Sequence, residues 1–404
     1  MKSIVLTLLV VFGFVQIADP AIHQQTDAAY ATANLIEPAP QQSGSIPAGF
    51  IPVQGSGLSA KIETAIKQAS GQARAANARA KFWTAWAFDV RPGVAVDYEW
   101  RGKNSKSMSW DGFNVSFDPN LETRNLGVFL LHEPAANGIG RVEVYNLDRQ
   151  RNYDGLPVFW LGRAGNDESL NTLRQLVENP QNKKAGEHGV VAIALHNDSR
   201  VGGMLKQFVN NLQGKDIRNS AVFWLGQIGG ETPFLSELVL ADKENVEVRK
   251  QAAFAIGVSK DSGALAALQS LFQGVTDREV KKQLVFAVSI NQSQDEALNY
   301  LINLATNERD VEVKKQAIFW LGQKAGERSL KVLGDAVNSN DANSEVQKQA
   351  IFAISQRPKD EAVPLLINIA KTHAKAEVRK QAIFWLGQTG DERAVAFFKE
   401  LLSQ

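Results

Sequence analysis

The chain of 404 residues contains no cysteine. Disulfide bonds, thiolate nucleophiles and cysteine-bound zinc are therefore excluded. The sequence also has no excess of either charge, since 44 lysines and arginines balance 43 aspartates and glutamates. Because nucleic-acid binding usually needs a basic excess or a basic patch, we expect no nucleic-acid partner.

A hydrophobic run long enough to cross a membrane is lacking as well. The N-terminal run Ile4–Val15 has 12 residues, whereas a spanning helix needs about 20. A short run that follows a basic residue, here Lys2, is typical of an export signal. We predict a signal peptide over residues 1–18, a periplasmic or secreted location, and no stable membrane insertion after signal removal. The alternative is an uncleaved segment that tethers the chain to a membrane.

The composition then changes twice before the second half of the chain. Residues 19–57 are rich in alanine, proline, glutamine, serine and glycine, which predicts a flexible linker. Residues 58–81 are predicted to form an alanine-rich, basic helix. Over residues 82–155, side chains alternate with a period of two on both sides of the turn Arg91-Pro92-Gly93. This pattern predicts a small β module of about five strands, with a hairpin around that turn.

A seven-residue phrase recurs through the rest of the chain. Ala317–Gln323 (AIFWLGQ) returns unchanged as Ala382–Gln388, and weaker copies begin at Pro157, Val190, Ala221, Ala252, Leu284 and Ala350. The starts are separated by 31 to 33 residues. A sustained period of this length indicates a solenoid of stacked helical pairs. We predict a mostly α fold, an α-solenoid of about eight helical pairs over residues 156–404, preceded by the small β module.

The phrase is predicted to lie on the second helix of each pair, and its first residue is called position 0. At 100° per residue, Val313, Ala317 and Leu321 share one face of that helix, and Phe319 lies opposite. Position +3 is tryptophan in four copies and alanine in three others, which favours packing in the core over ligand stacking. A glycine closes the copies at Gly226, Gly257, Gly322 and Gly387. It either stops the helix or lets the next helix approach closely.

These repeats resemble the HEAT family, in particular the short, lyase-type HEAT-like repeats of bacterial proteins. The matching residues are the valine-basic pairs Val248-Arg249, Val313-Lys314 and Val378-Arg379, and the Leu-Gly pairs Leu225-Gly226, Leu321-Gly322 and Leu386-Gly387. The order of helix, small sheet and helical repeats resembles exported bacterial HEAT proteins. The resemblance implies that the phenylalanine side of the second helices lines the concave surface of the solenoid. Such units serve many functions, so the likeness indicates the fold more than the activity.

A row of phenylalanines at position +2 is the main candidate for a binding site, and it is flanked by lysines at −2 and glutamines at −1. The candidate partner-binding residues are Phe223, Phe254, Phe286, Phe319, Phe352, Phe384, Lys250, Lys282, Lys315, Lys348, Lys380, Gln283, Gln316 and Gln349. An apolar row between polar groups fits an extended or helical protein partner. The alternative is that neighbouring phenylalanines stack on each other and only seal the solenoid.

Two other clusters are weaker candidates. Deoxyhypusine hydroxylase, a HEAT-like enzyme, carries several His-Glu pairs around two irons, whereas His132-Glu133 is the single such pair here and falls in the predicted β module. We therefore expect no metal and no cofactor. The carboxylates Asp89, Asp97 and Glu99 are predicted to lie on a solvated sheet face and not at a cation site.

The sequence thus favours a non-enzymatic, protein-binding scaffold or adaptor in the cell envelope that uses the concave face of a HEAT-like solenoid. Two alternatives remain open. The first, implied by the resemblance, is an enzyme or enzyme-maturation factor of the HEAT-like lyase type. The second is assembly of the chain with itself through an uncapped end of the solenoid.

Overall fold

The computed structural model describes residues 46–75, 81–96, 107–110, 113–116, 125–133, 138–181, 183–212, 214–324, 326–339 and 343–403. These residues form two compact units. The N-terminal unit extends to Ser169 and includes Leu195–Asn197, and the solenoid comprises Leu170–Ala194 and the chain from Asp198 onward. The predicted signal peptide lies outside the described residues.

The N-terminal unit contains a five-stranded sheet and a three-stranded sheet. Its elements are β1 (Ile51–Pro52), α1 (Leu58–Ala75), β2 (Phe82–Ala87), β3 (Ala95–Val96), β4 (Ser107–Trp110), β5 (Phe113–Ser116), β6 (Leu126–Glu133), β7 (Gly138–Asn146) and β8 (Val158–Arg163). The larger sheet has the order β1-β8-β2-β6-β7 and the smaller one the order β3-β5-β4. Strand β8 runs parallel to β1 and β2, and the other neighbours are antiparallel.

The predicted hairpin and the predicted end of the linker are both wrong. Strand β2 forms no hairpin with β3; it pairs with β6 and β8, while β3 pairs with β5. All six residues of β2 are buried, so both of its faces meet protein, as in a central strand. The linker also ends earlier than residue 57, because β1 pairs with β8 and Val53 is buried.

The first copy of the phrase, which begins at Pro157, forms a strand and not the helix that the repeat predicts. Val158–Leu161 are buried on both faces of β8. A short, continuous apolar run has no periodicity that distinguishes a buried strand from part of a helix. The sheet therefore extends past residue 155, where the β module was predicted to end.

The solenoid consists of helices in two layers. Its elements are α2 (Asn166–Glu178), α3 (Lys183–Ala194), α4 (Val201–Asn211), α5 (Lys215–Ile228), α6 (Thr232–Leu240), α7 (Val246–Val258), α8 (Ala264–Gly274), α9 (Arg278–Ile290), α10 (Gln294–Asn307), α11 (Val311–Gly322), α12 (Glu327–Asn338), α13 (Ser344–Ser355), α14 (Lys359–Thr372), α15 (Ala376–Thr389) and α16 (Glu392–Leu402). The phrase lies on the odd-numbered helices from α3 to α15, which pack on one another in chain order. The predicted α-solenoid is confirmed.

Five of the seven phrase helices also hold the end of the helix before them. The residue at position −3 reaches back to carbonyl oxygens that end the preceding helix: Arg218 donates to Val209, Arg249 to Val239, Lys314 to Thr306, Gln347 to Val337 and Arg379 to His373. The last carbonyls of a helix have no partner inside it. The basic residue of the valine-basic pair therefore has a structural role, since its side chain joins the two helices of one repeat.

Neighbouring phrase helices approach closely at three of the glycines of the phrase, Gly226, Gly257 and Gly322. A Cβ atom on Gly226 would lie 2.4 Å from the carbonyl oxygen of Ala255. A Cβ atom on Gly257 would lie 2.8 Å from the carbonyl oxygen of Ala287, and one on Gly322 would lie 2.8 Å from the Cβ atom of Ala353 and 3.0 Å from its carbonyl oxygen. Where position +5 is serine instead, at Ser289 and Ser355, position +3 of the next phrase helix is tryptophan, Trp320 and Trp385. Neighbouring phrase helices thus meet through a glycine and an alanine at three of their contacts. At two others, a serine on one helix is followed by a tryptophan on the next.

Candidate functional site

The phenylalanines at position +2 form a continuous row of ring contacts with the tryptophans at position +3. We call the eight rings the aromatic ladder: Phe223, Phe254, Phe286, Trp320, Phe319, Phe352, Trp385 and Phe384. Rings of neighbouring phrase helices are stacked at four of the five contacts, with centroids 6.0 Å apart for Phe254–Phe286 and 4.7 Å apart for Phe286–Trp320, and Phe352 and Trp385 are tilted by 52°. The stacking alternative raised by the sequence is therefore present in the structure.

Stacking leaves much of the ladder accessible. Phe223 is 2% exposed and Phe384 is 54% exposed, while the rings between them are partly buried. By contrast, Val313, Ala317 and Leu321 on the opposite side of α11 are fully buried. The helical wheel is thus confirmed for α11, and the ladder belongs to the surface of the solenoid as well as to its packing.

Two of the tryptophans depart from their predicted role in the core. Trp320 and Trp385 are partly exposed and contact ladder phenylalanines through their rings, whereas Trp224 is buried as predicted. Trp160 and Phe159 belong to β8 and not to the ladder. Sequence periodicity alone could not place the two partly exposed indoles, because position +3 borders both faces of the helix.

Four of the five lysines beside the ladder are paired with carboxylates. Each bonds the glutamate three residues earlier on its own helix: Lys250 with Glu247, Lys282 with Glu279, Lys315 with Glu312 and Lys348 with Glu345, at 3.0–3.2 Å. Lys380 is exposed and forms no ion pair with another described residue. Solvent-exposed pairs of this kind contribute little to stability. They make this flank of the ladder nearly neutral, because it carries both positive and negative side chains.

The glutamines at position −1 lie on the other flank. Gln283, Gln316 and Gln349 are partly buried. Within the described part of the chain, their side-chain amides have no hydrogen-bond partner. Gln347, two residues before Gln349, differs, because its amide donates to the carbonyl oxygens of Val337 and Ser339. The row at −1 therefore has amide groups that the fold itself does not use. We call the ladder with its lysine and glutamine flanks the ladder face.

The His132-Glu133 pair is part of the sheet. His132 is buried, stacks on Phe82 and shares a hydrogen bond of 2.9 Å with the Thr84 hydroxyl. Glu133 pairs instead with Lys81. No group of three or more histidine, aspartate or glutamate side chains in the described ranges is placed to hold a metal ion. Asp97 and Glu99 lie outside the described residues, and Asp89 accepts a hydrogen bond from Asn197.

Burial makes His132 a source of acid sensitivity. Desolvation lowers its pKa from 6.5 to about 4, so the unfolded chain binds a proton at a pH where the folded chain does not. The free energy of unfolding is therefore highest above pH 6.5, where His132 is neutral in both states, and it decreases as the pH falls towards 4. The loss reaches about 3 kcal/mol. Denaturant melts at several pH values should show this loss of stability. His132→Gln should remove this part of the dependence of the free energy of unfolding on pH. An unchanged slope would contradict the assignment.

The family comparison agrees with the architecture. Residues 336–404 match the HEAT_2 model of HEAT repeats. The repeats are HEAT-like. No curated protein matches the chain. No helix of the described residues is both long and apolar enough to cross a membrane.

Solved structures with related repeats match a little over half of the chain. Human deoxyhypusine hydroxylase with glycerol is 15% identical and covers 58% of this chain and 90% of its own, with a TM-score of 0.29. The CpcE–CpcF complex of phycocyanin lyase from Nostoc sp. PCC7120 is 18% identical, with coverage of 59% and 94% and a TM-score of 0.29. A designed armadillo repeat protein is 21% identical, with coverage of 56% and 99% and a TM-score of 0.26. Nothing about activity follows from likenesses at this level.

Proposed function

We propose that this protein is a non-enzymatic scaffold or adaptor that binds a protein partner on the ladder face. The single observation that carries the proposal is the partly exposed row of stacked rings beside unpaired amides. Stacked aromatic rings are rigid and lose little side-chain entropy on binding. Apolar rows at a surface usually mark interaction sites, and aromatic anchors dominate the affinity of many interfaces.

Photocrosslinking tests the location of the partner. Phe384 is the most exposed ring of the ladder, at 54%, so a benzophenone side chain fits there without repacking. We expect this variant to capture a partner in its native cell. Leu240, the last residue of α6, is a matched control because it is 48% exposed and lies off the ladder. Equal capture at both positions, or none at Phe384, would contradict a binding site on the ladder face.

We also propose that the protein acts outside the cytoplasm. The support is Lys2 and the apolar run Ile4–Val15, which together are typical of an export signal. Residues 1–30 fused to a reporter that is active only outside the cytoplasm should give a signal. Replacing two leucines of the run by arginine is the control, since it should silence the fusion. A stable but silent wild-type fusion would remove the proposal of export and leave the ladder face untouched.

A further inference from the structure

We propose that α15 and α16 form a docking face for a second copy of this chain, so that two molecules join in a closed dimer through antiparallel α16 helices. The proposal goes beyond the ladder face, because it assigns a partner to a different surface. Two observations carry it. The first is an apolar face that earlier repeats keep covered, and the second is a pair of opposite charges placed for two-fold symmetry.

Two identical phrases reveal which side of α15 is open. The phrases on α11 and α15 have the same sequence, so differences in their burial come from their neighbours. On α11, which packs on α13, Ile318 and Gly322 are buried. Their equivalents on α15 are more accessible, since Ile383 is partly buried and Gly387 is exposed. No other described helix therefore covers the side of α15 that corresponds to the contact between α11 and α13.

Helix α16 differs in the same way from α14, its counterpart in the preceding repeat. Three apolar positions of α14 are buried, namely Val363, Ile369 and Ala370. The residues that follow them by 32 positions on α16 are 50%, 45% and 87% exposed, namely Val395, Leu401 and Leu402. We call these three residues, with Ile383 and Gly387 of α15, the end face. Apolar side chains that are exposed together usually mark an interaction site.

Two charged residues make the end face complementary to itself. Glu392 and Lys399 are seven residues apart on α16, so they lie on one side of the helix, with Val395 between them along the chain. Both are exposed, and neither forms an ion pair with another described residue. Where two α16 helices cross antiparallel at Val395, Glu392 of each molecule meets Lys399 of the other. A parallel crossing would bring like charges together, so the charges favour the antiparallel dimer.

The other end of the ladder favours a closed dimer over a filament. Phe223, the first ring of the ladder, is 2% exposed, and Trp224 beside it is buried, so the ladder is closed at that end. A head-to-tail filament needs two different faces that fit each other, whereas a two-fold contact uses one face twice. The end face therefore meets its own copy. Two joined molecules would present two ladder faces, which increases the avidity for a partner with two binding segments.

A single thiol tests the two-fold arrangement. The chain has no cysteine, so Val395→Cys introduces the one thiol of the molecule. Because residue 395 lies at the crossing point, the thiols of the two copies would be adjacent, and mild oxidation should link most of the protein into a disulfide-bonded dimer. Leu240→Cys on α6 is the matched control, since Leu240 is 48% exposed and lies off the end face. Equal linkage at both positions, or none at residue 395, would contradict the proposal.

Charge reversal tests the pairing of Glu392 with Lys399. Glu392→Lys or Lys399→Glu alone should raise the dissociation constant of the dimer on the order of 30-fold, because each change places like charges at both contacts. Sedimentation equilibrium on the full-length protein measures the constant. The double variant Glu392→Lys/Lys399→Glu should restore the wild-type value. An equal mixture of the two single variants should also associate, since one then carries two positive charges at these positions and the other carries two negative charges.

The remaining outcomes decide against the end face or for it. A protein that stays monomeric at every concentration would overturn the proposal, and so would a dimer that the single reversals leave unchanged, since its interface would then lie elsewhere. Particles larger than two molecules would overturn the closed arrangement. The proposed function is tested separately, because a crosslink from Phe384 to a second copy belongs to the end face, whereas a crosslink to another protein belongs to the ladder face. Association restored in the mixture of single variants would establish the pairing.

Discussion

Gly226→Ala should lower the free energy of unfolding by about 2–3 kcal/mol, because the added methyl group has no room. Its carbon would lie 2.4 Å from the carbonyl oxygen of Ala255 and 2.8 Å from the carbonyl carbon. Both atoms belong to backbone of the next phrase helix, so they cannot move aside without shifting that helix. Equilibrium denaturant melts of the wild type and the variant measure the loss.

Gly387→Ala is the matched control at the same position of the repeat. The nearest heavy atom to its added carbon is Phe398 Cζ, at 4.0 Å, which is ordinary contact. Alanine stabilises a helix by about 0.5–1 kcal/mol relative to glycine, and Gly387 is exposed near the end of α15. The control should therefore be neutral or slightly stabilising. A large loss at Gly387 would mean that the glycine serves the helix itself and not the close approach of two helices.

Leu321→Ala should destabilise the protein by about 3–4 kcal/mol, whereas Phe319→Ala should cost roughly 1–2 kcal/mol. Leu321 is fully buried, so its loss leaves a cavity. Phe319 is partly exposed and contacts Trp320 and Phe352 through its ring, so its loss removes stacking and little core volume. A buried phenylalanine would cost about 3–5 kcal/mol.

The two variants should also separate in binding. Phe319→Ala should weaken the partner captured on the ladder face while the protein stays folded, and Leu321→Ala should affect binding only through unfolding. Denaturant melts and binding measurements on the same preparations make the comparison. Equal, large losses of stability would show that the ladder is part of the core, and the binding face would have to be abandoned.

The sequence predicts the solenoid because its signals are local and repeated. The phrase lies on seven helices, as the repeat predicts for all copies but the first. Several phrase helices begin at a capping residue that the sequence displays, such as Asp310, whose carboxylate accepts from the N–H groups of Glu312 and Val313. Such caps satisfy donors that the helix leaves free.

The sequence fails where the outcome depends on partners distant in the chain. Val158–Arg163 carries a phrase-like sequence but joins β2 and β1 in a sheet, which no local pattern displays. The phenylalanine row is visible in the sequence. The addition of Trp320 and Trp385 to it depends on how neighbouring helices are spaced. The glutamines at position −1 become informative only once the structure shows that they have no hydrogen-bond partner among the described residues, whereas Gln347 at position −3 bonds the preceding helix.

The joints between phrase helices bear on how this array gains or loses repeats over generations. Gly322 packs against Ala353 of the next phrase helix. The phrase helices that carry Trp320 and Trp385 each follow a phrase helix with serine at position +5. Excising one repeat would place Gly322 against Trp385. The helices approach closely at this glycine, so the large indole ring would not fit between them. Excising two would restore a serine before the tryptophan. The identical phrases at Ala317 and Ala382 are two repeats apart, as duplication in blocks of two would leave them. From α9 to α15, a change by two repeats therefore preserves the contacts between phrase helices, and a change by one repeat does not.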